Sequence, residues 1–588
     1  MKTYFVNSID FMYNNDKIPL GLMSLVASLE KSGFESEIID FDYLIDSKNL
    51  TLKNNLKDNI DMMVDYLLSK NPKIVSLYTM CNSYPVMIEL AREIKNRKNN
   101  IYILMGGPQA SMTAIETLKK FNFIDIIGIG EGEKTIVDLI EALLSAKPIS
   151  NVKGIAYRDG EKIIKNQPPE LMDNLDNLPF LDYNKLSNDI KKKSILIEVG
   201  RGCPFNCSFC STSIFWKRKY RLKSDERIIE EVKFYKDKYN IDSFSFNHDM
   251  FTLNKDRIIG FCKKLINLNN NIEWACSARI DTLDEELISY LSESGCKEIY
   301  LGIESGSPNM QKIIHKNLNL NRALEKIKLL KENSIVPTVS FIYGFHEETI
   351  DDLRKTMKLI YKLLIHGIYN IQLHKLTITP ETGEFYKTKD LLYFNENNSD
   401  ISSTHFLDEL EDTIRSSKNI FSNFYDFKTD IRTDYNELSI FIRFLTAIIS
   451  KFKNTIFHLF EFYDHDLIAM YNEHKNIIKS LDKEIKNNIE IGFNNYNYLM
   501  KIFVKYINLI LIQSEIFVEK PKLKTLFELE NDIYSFIYFN NEGEKIQNYN
   551  LNVFKLIKNI NYKDKSDTPI KVKFIRLSDH KVRVKRLA

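Results

Sequence analysis

Through the first 145 residues, short apolar runs alternate with amphipathic stretches. Thr3–Asn7, Ser36–Phe41, Ile74–Tyr78, Ile101–Met105 and Ile124–Ile129 have the length and composition of strands. Between them, Leu20–Lys31 and Pro85–Asn96 repeat apolar positions at helical spacing. This alternation predicts an α/β domain, a parallel sheet covered by helices on both faces. Five such units predict a flavodoxin-like doubly wound domain over residues 1–145, with ligands at the carboxyl ends of the strands.

Residues 146–190 break that rhythm. They include QPPELMDNLDNLPFLD, rich in Pro, Asn and Asp, and read as a linker draped over the surface. Alternation then resumes. Ile195–Val199, Ser243–Phe246, Glu273–Ala278, Glu298–Ile303, Thr338–Ile342 and Ile371–Thr377 are strand candidates, separated by helical stretches such as Asp225–Tyr239 and Glu347–Leu364. Six βα units over residues 191–395 predict a partial (β/α)6 barrel of the TIM type, with its site at the strand ends. Residues 396–588 are rich in Asn, Lys, Ile, Phe and Tyr and predict a mainly α-helical C-terminal domain, closed by strand-like runs at Ile570–Arg576 and Lys581–Lys585.

Composition adds exclusions. Apolar content of 44% and charged content of 27% are ordinary for a globular chain, and a net charge of +2 gives no basic field for nucleic acid. The start MKTYFVNSID has no apolar core of a signal peptide. Leu438–Phe452 and Phe503–Val518 are interrupted by Arg443 and Lys505, short of the ~20 apolar residues of a transmembrane segment. A cytoplasmic location is expected.

Seven cysteines are present, and three of them form one tight group. In Ile195-Leu-Ile-Glu-Val-Gly-Arg-Gly-Cys-Pro-Phe-Asn-Cys-Ser-Phe-Cys210, a strand runs into a loop carrying Cys203, Cys207 and Cys210. Thiolates on a short loop select zinc or iron–sulfur. A zinc knuckle needs a fourth ligand nearby, and no Cys or His follows Cys210 until His248. Three ligands instead leave one iron of a 4Fe–4S cubane open for catalysis.

At this point the sequence resembles the radical S-adenosylmethionine (SAM) superfamily, and specifically its cobalamin-dependent branch, over about residues 1–390. The resemblance implies a 4Fe–4S cluster on the three cysteines, with SAM on the open iron and Phe209 near its adenine. Ser245-Phe-Asn-His-Asp-Met-Phe-Thr, which contains Asn247, resembles the branch's acidic strand end. Trp274-Ala-Cys-Ser-Ala-Arg-Ile-Asp281, with Arg279, resembles the next strand. Leu301-Gly-Ile-Glu-Ser-Gly-Ser307 brings Glu304 and Ser305 to the SAM side. Phe341-Ile-Tyr-Gly-Phe-His-Glu-Glu-Thr349, with Tyr343, resembles a turn that usually carries Pro-Gly-Glu-Thr, but has His346 and Glu347 in place of Pro and Gly. Turn formation and helix capping are the plainer reading of Ser305 and Thr349. Arg279 and Glu304 end buried strands, where a charge needs a partner.

The first domain resembles the cobalamin-binding domains of the same branch through Pro19-Leu-Gly-Leu-Met, Ser76-Leu-Tyr-Thr79, Met105-Gly-Gly-Pro108 and Gly130-Glu-Gly-Glu-Lys-Thr135. The resemblance implies that Gly106 and Gly107 let the backbone approach corrin, that Ser76 and Thr79 bind the nucleotide tail, and that Glu131 belongs to the same site. A Rossmann-like domain without ligand, or with a nucleotide, is the alternative. No His precedes His248, so this domain has no imidazole to ligate cobalt.

No Cys follows Cys296, which excludes further cluster domains, and Cys81 alone in the first domain argues against a methylthiotransferase. The expected activity is methyl transfer to an unactivated carbon of a peptide or small-molecule natural product, with an external electron donor such as flavodoxin or ferredoxin. The rivals are a cobalamin-dependent radical SAM oxidase or cyclase without methyl transfer, and a non-catalytic iron–sulfur redox protein. No catalytic side chain is assigned. The basic end, Lys571 to Arg586, reads as a solvated strand pair.

Overall fold

The structure, a computed structural model, describes residues 2–7, 9, 18–186, 194–268, 271–395, 406–449, 451–487, 496–513, 521–538, 544–549, 570–578 and 581–587. The first sheet contains β1 (Thr3–Val6), β2 (Ser36–Ile39), β3 (Ile74–Tyr78), β4 (Tyr102–Gly106), β5 (Ile126–Gly128), β6 (Ile155–Asp159) and β7 (Lys162–Lys165). Its order is β2-β1-β3-β4-β5-β6-β7. The first five strands are parallel, as the alternation predicts.

The strands β6 and β7 depart from the sequence expectation. They lie in the stretch read as a surface linker, yet they pair antiparallel with β5 and with each other and extend the sheet. Gly160, at φ +59°, occupies the first position of their two-residue turn. That Asp-Gly turn was the signal available. The rest of the connector, through Leu175, Leu178 and Tyr183, also buries side chains rather than floating free.

The second sheet is built from β8 (Ile195–Glu198), β11 (Ser243–Asn247), β12 (Glu273–Ala278), β13 (Cys296–Glu304), β14 (Val336–Tyr343) and β15 (Ile371–Lys375), all parallel and adjacent in chain order. β8 and β15 stay unjoined, so the barrel is partial. Ile197, Phe246, Trp274, Leu301 and Phe341 bury one face of these strands in the same core as Val232, Ile258, Leu330 and Ile360 of the surrounding helices. Between β8 and β11, the short antiparallel pair β9 (Gly200–Arg201) and β10 (Arg221–Leu222) frames the cysteine loop.

The packing also departs from the expected boundary at 395. The helix Leu438–Ile449 lies on β15 and completes the outer helical layer. Before it, residues 406–427 return to the first domain. Phe421 packs between Tyr84 and Phe121, tilted to the first and edge-on to the second, with ring centroids 5.9 and 6.3 Å away. Gln109 donates to the Ile420 carbonyl at 2.6 Å. A short pair, β16 (Tyr393–Phe394) and β17 (Tyr425–Asp426), closes this strap. Further helices follow at Lys453–Phe462, Leu467–Asn487, Tyr496–Gln513 and Pro521–Tyr538. A three-stranded sheet of β18 (Glu544–Tyr549), β19 (Ile570–Ser578) and β20 (Lys581–Leu587) ends the described chain. Among the described residues, no helix is long and apolar enough to cross a membrane.

Candidate functional site

The cysteine loop leaves β9 through Gly202, at φ +84°. A Cβ there would meet the Lys219 carbonyl at 2.0 Å, so only glycine makes this exit. Cys203, Cys207 and Cys210 are free and half-buried. Burial pushes the Cys203 and Cys207 thiols up, and each neighbouring thiolate pushes further; at Cys207, Lys316 and Arg279 pull the other way. Such a group loses its protons readily only to a metal. Among the described residues no three His, Cys, Asp or Glu side chains converge on one ion. Thiolates that each take a different iron of a cubane do not need to.

The loop is gripped from outside. Ser208 donates its N–H to the Ile314 carbonyl at 3.1 Å and its hydroxyl to the buried Glu384 carboxylate at 2.6 Å, while Glu384 donates its own N–H to the Ser208 carbonyl at 3.2 Å. Every polar group of Ser208 is thus held by segments distant in sequence.

Around the loop stand the predicted strand ends. Arg279 follows β12, donates to Asp281 at 3.0 and 2.9 Å and to the Lys316 carbonyl at 2.8 Å, and covers the Phe205 ring at 3.8 Å. Its Nη1 lies 3.9 Å from Cys207 Sγ. Glu304 ends β13 at a register shift, with φ +67°, an unusual backbone for a non-glycine residue that re-aims the side chain. Its carboxylate meets the Lys316 ammonium at 2.9 Å, both groups being buried. Phe209 is half-buried against Phe345, 6.0 Å between centroids.

Two of the residues singled out on this side do other work. Ser305 is fully buried, shares a hydrogen bond with Thr356 and accepts the Ser307 N–H, so the turn reading accounts for it. Tyr343 is fully buried and donates to the Asn436 carbonyl at 3.1 Å, which ties it to the following segment. Thr349 caps the helix Ile350–Ile365 in a capping box with Asp352.

A cavity of about 350 Å³ separates the two sheets at their carboxyl ends. One wall comes from the first domain: Ser76, Tyr78, Gly106, Gly107, Gly130, Glu131 and Glu133. The other comes from the barrel: Leu196, Glu198, Arg201, Phe215, Trp216 and Asn247. Leu25, Ile136 and Leu139 give it an apolar recess. A Cβ on Gly106 would meet nothing within 4 Å, so the backbone there lies open to a ligand. Gly107 is different: its Cβ would lie 2.5 Å from the Thr79 carbonyl, and its φ of +108° serves the turn itself. Thr79 is fully buried and donates to the Gly106 carbonyl at 2.9 Å, so it shapes this turn without lining the cavity. The Glu131 carboxylate is occupied by Arg201, Arg221 and the Met172 N–H. Open glycine backbone, an apolar recess and a hydrogen-bonding rim suit a flat, amide-fringed ring such as corrin.

Sequence reading missed Lys316, Glu384, Trp216 and the pair Arg201–Glu133. Arg201 had the same signal that singled out Arg279, a charge at the end of a buried strand. Lys316 and Glu384 had none, because their partners are set by tertiary packing.

Comparison with known proteins agrees with this geometry. The radical SAM superfamily pattern matches residues 197–360, and the B12 binding domain pattern matches residues 12–140. An uncharacterized methyltransferase of Pyrococcus horikoshii is 32% identical over 351 residues, covering 59% of this chain and 73% of its own. The anaerobic magnesium-protoporphyrin IX monomethyl ester cyclase of Cereibacter sphaeroides is 26% identical over 323 residues, 51% of this chain and 53% of its own. The fold of OxsB, a cobalamin-dependent S-adenosylmethionine radical enzyme solved with aqua-cobalamin and S-adenosylmethionine, superposes with a TM-score of 0.58 at 16% identity, over 90% of this chain and 83% of its own. The chain therefore belongs to the radical SAM superfamily, in the branch that joins a B12-binding domain to the barrel, and is an enzyme of the 4Fe–4S cluster, SAM and cobalamin.

Proposed function

We propose that the enzyme transfers a methyl group to an unactivated carbon of a peptide or small natural product. When bound, the cluster and SAM supply a 5′-deoxyadenosyl radical by one-electron reductive cleavage, and cobalamin supplies the methyl group. The chain's own residues arrange the rest. Cys203, Cys207 and Cys210 would hold the cluster, and Arg279 and Glu384 hold their loop in place. Lys316 and Arg279 place positive charge beside Cys207. Asn247 and Glu198 end the barrel strands on the same cavity that Ser76 and Gly106 reach from the first sheet. That shared cavity, walled on one side by Arg201 at the root of the cysteine loop, is the observation that carries the reading: corrin held there would lie beside the loop that carries the cluster. A flavodoxin- or ferredoxin-type electron donor and a cytoplasmic setting belong to the same reading.

Each methylated product should consume two SAM, one released as 5′-deoxyadenosine and one as S-adenosylhomocysteine. The similarity to a cyclase supports the second reading, oxidative ring closure by the same parts. Turnover that yields 5′-deoxyadenosine without S-adenosylhomocysteine would decide for it and against methyl transfer.

A further inference from the structure

Arg201 stands two residues before Cys203, and only 3% of its side chain is exposed. Three carboxylates share its guanidinium. Nε and Nη2 donate to Glu198 at 2.9 and 2.8 Å. Nη2 and Nη1 donate to Glu133 at 2.5 and 3.2 Å, and Nη1 also reaches Glu131. Arg221, across the β9–β10 pair, adds a second guanidinium on Glu131 at 3.0 Å and donates to the Met172 carbonyl at 2.7 Å. Ser24 donates to Glu133 at 2.7 Å. Both guanidiniums lie over the Trp216 ring, 5.5 and 5.6 Å from its centroid.

These groups come from both halves of the molecule. Glu131, Glu133 and Ser24 belong to the first domain; Glu198, Arg201, Arg221 and Trp216 belong to the barrel. Five of them, Glu131, Glu133, Glu198, Arg201 and Trp216, also form the cavity wall. One buried knot is therefore the joint between the domains, the wall of the cavity and the root of the cysteine loop.

We propose that Arg201 is a positioning residue that couples cobalamin binding in the cavity to cluster assembly on the adjoining loop. The proposal rests on the reading of the cavity as the corrin site. A Cβ at Gly202 would lie 2.0 Å from the Lys219 carbonyl, so the chain passes close to the lead-in to β10 here, and Cys203 held on iron would limit where Arg201, two residues earlier, can sit. Losing one partner strands buried charge. Arg201 held in place keeps Glu131 and Glu133 in place, and with them the opposite wall. Coupling of this kind is reciprocal: a filled cavity should favour the cluster as much as the cluster favours filling. Lysine cannot substitute, because one ammonium cannot span three carboxylates.

The test is hydroxocobalamin titration of the full-length protein, cluster-free and after anaerobic reconstitution. In the native protein the cluster should tighten binding by about fivefold or more. R201K should bring the ratio to within about twofold. E133Q, which keeps the shape and most hydrogen bonds, should retain the reduced-cluster electron paramagnetic resonance signal yet lower the ratio. A native ratio of one overturns the proposal, and so does either variant with the native ratio. Native protein that binds no hydroxocobalamin in either state overturns the corrin assignment itself, a different result from binding without coupling.

Discussion

The two adjacent glycines at the end of β4 should fail in opposite ways. Gly107 has φ +108° and ψ 178°, a region open in practice to glycine alone. In G107A the strain costs roughly 1–3 kcal/mol. The new Cβ would also sit 2.5 Å from the Thr79 carbonyl and 3.0 Å from its nitrogen. Relief requires displacing the Thr79 N–H from the Gly106 carbonyl, now 2.8 Å apart, at a further ~1 kcal/mol. The sum is about 3 kcal/mol, roughly a hundredfold in the folding equilibrium of this domain. G106V meets none of this, since nothing lies within 4 Å of its Cβ. It should fold normally and project its methyls into the cavity. Denaturant unfolding and hydroxocobalamin titration, run on both variants, separate the effects. G107A should lower the unfolding midpoint, whereas G106V should keep it and weaken cobalamin binding by about tenfold or more. Native stability in G107A, or native affinity in G106V, would refute the assignment of turn and floor.

Replacing Cys203, Cys207 or Cys210 by Ala should leave reconstituted protein short of about four irons and abolish release of 5′-deoxyadenosine from SAM; a variant that still cleaves SAM would contradict the cluster site. Cob(II)alamin bound base-off to the enzyme should give an electron paramagnetic resonance spectrum without axial-nitrogen splitting, because no His precedes His248 and the first domain has no imidazole to offer; an axial-nitrogen triplet would refute this. Burial pushes the Glu348 carboxyl up to about 8, against the N–H groups of Gly344 and Phe345. The folded state therefore holds a proton that the unfolded chain releases, and stability should fall as pH rises from about 5 to 8. E348Q should remove that slope, and a urea midpoint that still declines across the same window would place the titration elsewhere.

Much of this architecture was legible in the alternation of apolar runs. The parallel strands of both sheets fall within two residues of the runs that predict them, because each has few polar interruptions. The cysteine loop was legible because metal chemistry constrains local spacing. The hairpin β6–β7 was not: Lys162–Lys165 has two apolar residues between two lysines and gains its place only by pairing with β6. At the site, the charges that end strands at Arg279 and Glu304 do find partners, Asp281 and Lys316, around the cysteine loop. Tyr343 and Thr79 have protein partners for their hydroxyls, because polar groups at a strand end serve packing as often as ligands, and sequence alone does not show the partners. The strap of residues 406–427 gave no signal, since its apolar residues are matched to a surface more than three hundred positions away.

That strap has a consequence for how the protein can be cut and how it can move. Phe421 is wedged into the first domain, and the helix Leu438–Ile449, a few turns later, roofs the last barrel strand. A fragment ending near residue 395 would contain both recognisable domains and still lack two pieces of their cores. It should emerge as an aggregating species rather than a minimal enzyme. The same belt limits hinge motion: swinging the first domain away from the barrel would have to draw aromatic side chains into water. The two halves are better described as one body with a slot in it, whose walls keep their spacing while its contents change.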